Sequence, residues 1–98
     1  MKWIAEQSYY KVERVVTANS QEAIVQERHM RLYEHKLETR FREFPIRELF
    51  DLSYRQMGGE GGLLYLHTKQ GVFSYTVHDD PAAFIDACRA IIRRYSGE

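Results

Sequence analysis

The chain has 98 residues, 44% hydrophobic and 13% aromatic, with 14 basic and 14 acidic side chains and therefore no net charge. That length holds one domain (1–98) with a modest core, and the apolar content excludes a disordered chain. The charge balance lacks the basic excess with which nucleic-acid binders release counterions, so no nucleic acid is expected as partner.

Met1–Ser8 is an N-terminal extension of undecided structure, with Trp3 and Ile4 anchoring either a short strand or a helical turn. It opens in the manner of a signal peptide but meets Glu6 and Gln7 before an apolar stretch develops, so a soluble, cytoplasmic chain is expected. Tyr9–Thr17 is aromatic and β-branched and predicts a strand with Tyr10, Val12 and Val16 on one face. Ala18–Gln21 has turn chemistry, and Glu22–Arg28 resumes a strand that breaks near His29. From Arg31 to Phe41, Tyr33, Leu37, Thr39 and Phe41 share one parity against Glu34, Lys36, Glu38 and Arg40, a half-buried antiparallel pattern in which His35-Lys36 is either a dividing turn, the favoured reading, or mid-strand. The parity slips afterwards, which either a bulge near Glu43 or a strand end at Pro45 explains. Ile46 and Leu49, three apart, predict a single helical turn, and Phe50, Leu52 and Tyr54 predict another strand.

Met57–Gly62 contains four glycines and reads as a hairpin loop. Strands Leu63–Thr68 and Gly71–Val77 follow, joined at Lys69-Gln70-Gly71. Asp80 suits a helix N-cap and Pro81 the first helical position. Phe84, Cys88, Ile91 and Tyr95 then recur at four, three and four residues, one apolar stripe on a rod of about 22 Å, with Gly97 as its stop. Cys88 falls on that stripe, which predicts a buried structural thiol, and a lone cysteine excludes an intramolecular disulfide. No apolar run approaches the ~18 residues of a transmembrane helix.

About seven antiparallel strands and one C-terminal helix, with the run Arg40–Tyr54 as strand, Ile-x-x-Leu turn and strand, and Gly61–Ile85 as hairpin and helix start, resemble the bacterial pleckstrin-homology-like (PH-like) domain family. The resemblance covers Arg40–Ile92 by apolar spacing and the first 29 residues by strand count. It implies a mainly β barrel of two near-orthogonal sheets with the helix capping one end, acting as a docking module for proteins, peptides or lipid headgroups without catalysis. Phosphoinositide-binding members carry a Lys-x-Arg motif across the first strand, loop and strand; Thr17–Glu22 has no Lys or Arg, which argues against phosphoinositide here.

Chemistry-bearing motifs are scarce. His29, His35, His67 and His78 form no His-x-His or His-x-x-x-His pair, so neither metal, cofactor nor catalytic base is expected. The Gly58–Gly62 cluster lacks the Lys-Ser/Thr and helix of a phosphate loop. Arg40, Arg42, Arg47 and Arg55 are candidates for an anion site, set against mutual ion pairing with the interleaved Glu38, Glu43, Glu48 and Asp51. In Leu63-Leu64-Tyr65-Leu66 both strand faces are apolar. Leu63, Tyr65 and Val72 therefore lie either under the helix or in a contact surface for a protein partner or a second copy, a homodimer. The expectation is a non-catalytic binding module; the alternative is a carrier of a small apolar ligand or lipid in a cleft between barrel and helix.

Overall fold

Alternating apolar and polar residues build strands along most of the chain, and the 3.6-residue stripe builds one helix. The computed structural model describes residues 3–16, 18, 21–58 and 61–97, without the side chains of 12–15, 22, 96 and 97. The elements are β1 (Ala5–Val16), β2 (Gln21–Leu32), β3 (Lys36–Glu38), β4 (Glu43–Pro45), a 3-10 turn (Ile46–Glu48), β5 (Leu49–Gln56), β6 (Gly62–Thr68), β7 (Gly71–Val77) and α1 (Ala82–Gly97).

All seven strands are antiparallel neighbours in one sheet of order β4-β3-β2-β1-β7-β6-β5. The sheet does not close on itself, where the sequence suggested a barrel of two near-orthogonal sheets. β4 has only three residues and ends at Pro45, which has no N–H to offer a further strand; the chain turns at once into Ile46–Glu48 and starts β5 at the far edge. A seam divides the sheet, because β1 and β7 are paired only at Tyr10 opposite Thr76.

Among the described residues, fifteen hydrophobic side chains, from Tyr9 to Ile91, make one core on the inner side of the sheet. Met30, Leu32, Leu37, Leu52, Leu64 and Leu66 supply the sheet side, and Phe84, Ile85, Cys88 and Ile91 of α1 cover it. Asp80 Oδ1 accepts the Ala82 N–H at 3.0 Å, and the Pro81 carbonyl accepts the first helical bond from Ile85 at 2.8 Å. Ile46 and Leu49 are both buried, as their spacing predicts. Arg89 anchors the outer flank of α1 by donating to Asp51 Oδ1 and to the Leu52 carbonyl, each at 2.9 Å.

Several details differ from the sequence reading. Residues 5–8, in the extension left undecided, belong to β1. β2 runs through His29 to Leu32, because Met30 and Leu32 continue its buried parity, and the turn follows at Tyr33–His35, where the Tyr33 N–H donates to the Lys36 carbonyl at 2.8 Å. The inward face of β1 carries Gln7 and Tyr9 while Val16 is 67% exposed; Val12 is outside the described side chains. Strand β4 ends at Pro45, and the bulge lies later, between Leu49 and Asp51, leaving Phe50 exposed. The Ala18–Gln21 and Gly58–Gly62 connections fall partly outside the described residues. α1 continues through Gly97.

β1 and β2 are each 12 residues long, about 40 Å of ribbon. Beyond Tyr10 the ribbon leaves β7 and the core behind, which accounts for a molecule measuring 58 × 27 × 26 Å.

A cationic cleft beside the seam

Where β1 and β7 part, the inner surface opens into a cleft of about 460 Å³. Its walls come from four segments: Tyr9 and Lys11 of β1, Arg28 of β2, the Thr39–Arg42 connection, and Ser74–Thr76 of β7. The connection is a tight turn. The Thr39 N–H donates to the Arg42 carbonyl at 2.8 Å and Thr39 Oγ1 accepts the Arg42 N–H at 3.2 Å. Tyr9 fixes the turn from below, its Oη accepting the Arg40 N–H at 3.1 Å. This geometry turns Phe41 outward, 75% exposed rather than core-facing as its parity predicts, because the alternation stops at Thr39.

Aromatic rings hold two of the cations. The Arg42 guanidinium lies 4.7 Å over the Phe73 ring and that of Arg28 5.0 Å over Phe41. Tyr9 and Tyr75 meet edge-on with centroids 5.0 Å apart and form the floor. Burial raises the Tyr75 hydroxyl above its ordinary pKa, against the opposing pull of Thr39 and Arg42. The cleft thus presents three positive charges, neutral hydroxyls and ring faces. Among the described residues no carboxylate lines it, and none of the ion pairs uses Lys11, Arg28 or Arg42.

Three cations elsewhere, Arg31, Lys36 and Arg89, are paired with carboxylates. Arg31 donates to Glu6 at 2.9 Å and Lys36 to Glu43 at 3.0 Å, and both are held above their usual pKa by those bonds first. Asp51 stays below its usual value although burial opposes this, through Arg89 and the Leu52 N–H.

The four arginines singled out in the sequence do not converge. Arg42 lines the cleft, and Arg40 stacks on Phe41 at its rim, 5.6 Å from the ring centroid. Arg47 lies in the 3-10 turn beside a separate recess with Phe50 and Tyr95, and Arg55 sits on β5 opposite Leu63. Three of the four interleaved acids have other partners, Glu38 and Glu43 on Lys36 and Asp51 on Arg89. Lys11 and Arg28 belong to the cleft by topology: positions far apart in sequence meet there, and no local motif marks them.

Leu63 and Tyr65 are half-buried and Val72 exposed, on the outer wall away from the core. Leu64 and Leu66, the opposite parity of the same strand, point into the core. On that wall Ser53 Oγ and His67 Nε2 are 2.7 Å apart, with Asp51 opposite His67 in register. The Asp51 carboxylate is taken by Arg89, so the trio lacks the aligned acid of a nucleophilic relay. At the end of α1, His35 Nδ1 and the Tyr95 hydroxyl are 2.7 Å apart beside a shallow recess of about 350 Å³. Among the described residues there is no cluster of three metal-ligating side chains, and no helix is long and apolar enough to cross a membrane. Neither the protein-family models nor the curated proteins give a match to this chain.

Proposed function

We propose that the chain is a small non-catalytic docking module of the PH-like kind, working in the cytoplasm, whose cleft receives an acidic segment of a protein partner. One observation carries the reading: Lys11, Arg28 and Arg42 converge on a single concavity with ring-lined walls and no carboxylate among its described lining. Three like charges brought together raise the local potential far above that of a chain with no net charge, which favours and steers an oppositely charged partner. Tyr75 and Phe41 add surface against which the stems of such a segment pack. The seven-strand, one-helix order and the seam between a four-stranded and a three-stranded half support the PH-like reading. A single, buried thiol suits a reducing compartment.

The test is fluorescence anisotropy with labelled peptides rich in Asp and Glu, beside amide counterparts rich in Asn and Gln. The acidic set binds and the amide set does not, and Lys11→Ala or Arg42→Ala weakens binding roughly tenfold, as loss of a charge-assisted hydrogen bond does. Arg47→Ala and Arg55→Ala leave it unchanged. Equal binding of both peptide sets, or stronger retention of a single-stranded oligonucleotide, overturns the proposal.

A further inference from the structure

Strand β2 is paired with β1 along its whole length, from Leu32 opposite Ala5 to Gln21 opposite Val16. On its other side β3 pairs only with Arg31 and Leu32, so among the described residues the edge from Gln21 to Met30 carries no strand. An edge that long is a template for another strand. Three of the usual deterrents are missing: 21–30 contains neither proline nor lysine, and its register with β1 has no bulge, so its charges are Glu22, Glu27 and Arg28. Ile24 and Val25 are 43% and 56% exposed there.

We infer that the occupant of this edge is a second copy of the chain, its β2 pairing antiparallel with this one across a two-fold axis at Val25. Such an axis requires the edge to complement itself when read backwards. Centred on Val25, position 22, a glutamate, falls opposite position 28, an arginine, and this occurs twice. Val25 meets Val25, and Ile24 meets Gln26. A centre half a residue toward Ile24 instead opposes Glu22 to Glu27, which is unfavourable. A centre at Ile24 opposes no acid to a base, and one between Val25 and Gln26 opposes Glu22 only to His29, which already lies beside Glu6 and Glu27, and sets Ile24 against Glu27. Charge pattern therefore selects one register, a ladder of seven residues and about 23 Å. The inference adds to the docking reading by naming a partner; the two share Arg28, but the cleft is tested through Lys11 and Arg42 and the edge through the amides of β2, so either can fail alone.

Sedimentation equilibrium from micromolar to sub-millimolar concentration, with amide exchange on the same samples, tests it. The wild type shows a reversible monomer–dimer equilibrium, and the amides of 22–28 gain protection as the dimer forms. Ile24→Lys/Val25→Lys stays monomeric. Glu22→Arg weakens association roughly tenfold by opposing like charges twice, and Glu22→Arg/Arg28→Glu restores it. A wild type that stays monomeric throughout, a dimer protected only outside 21–30, or a charge swap that restores nothing overturns the inference. Circular dichroism checks that each variant folds; the exchange data on the wild type decide the matter if the lysine variant does not.

Discussion

Cys88 sits on the core face of α1, and burial pushes its thiol pKa up to about 12. The unfolded thiol titrates near 8.5, so the folded state disfavours the thiolate. This contribution to stability is whole below about pH 8.5 and is lost as pH rises toward 12. In urea titrations the wild-type midpoint should fall over that range more steeply than that of Cys88→Ala, whose own cost at neutral pH is about 1–2 kcal/mol. A thiol reagent should reach Cys88 only at the rate of unfolding. The burial of Cys88 was readable from the four-and-three spacing that it shares with Phe84 and Ile91. Tyr95 continues that spacing yet stays half in water, because its hydroxyl reaches His35 at the rim.

Helix and hairpin starts are set by single residues. Asp80→Ala removes the acceptor for the Ala82 N–H and should cost about 1 kcal/mol in denaturant unfolding. Gly62→Ala should cost more, because a Cβ there would collide with the Arg55 carbonyl across the β5–β6 pair, where neither backbone can retreat. Equal effects of the two would contradict this packing. The succession of strands and helix was legible from turn residues and changes of period, except at residues 5–8 and around His29, where no turn residue marks the boundary. Strand faces were less so. In β1 the apolar count favours the Tyr10 parity, yet Gln7 and Tyr9 face inward, with Gln7 Nε2 donating to the Ser8 carbonyl at 3.1 Å. A strand that passes from the core into a free ribbon has no single environment for its alternation to record.

The molecule combines a packed body with a ribbon that touches little of it, and stability should follow that division. At concentrations where the chain is monomeric, amide exchange should be fastest of all strands beyond Lys11 in β1 and before Gln26 in β2. It should be slowest in β6, between two full-length neighbours. Uniform protection along β1 would contradict the division. The cleft was not legible at this scale, because Lys11, Arg28 and Arg42 come together only when the ribbon, the Thr39–Arg42 turn and β7 are assembled. The arginines chosen for nearness in sequence share one member with it, Arg42.

Every strand precedes α1 in the chain, and α1 is the cover of the leucine-lined interior. During synthesis the sheet therefore leaves the ribosome with Leu52, Leu64 and Leu66 still without the cover that α1 gives them. Nascent chains stalled before Phe84 emerges would stay sticky and chaperone-bound, and release would come in one step, with the final helical turns.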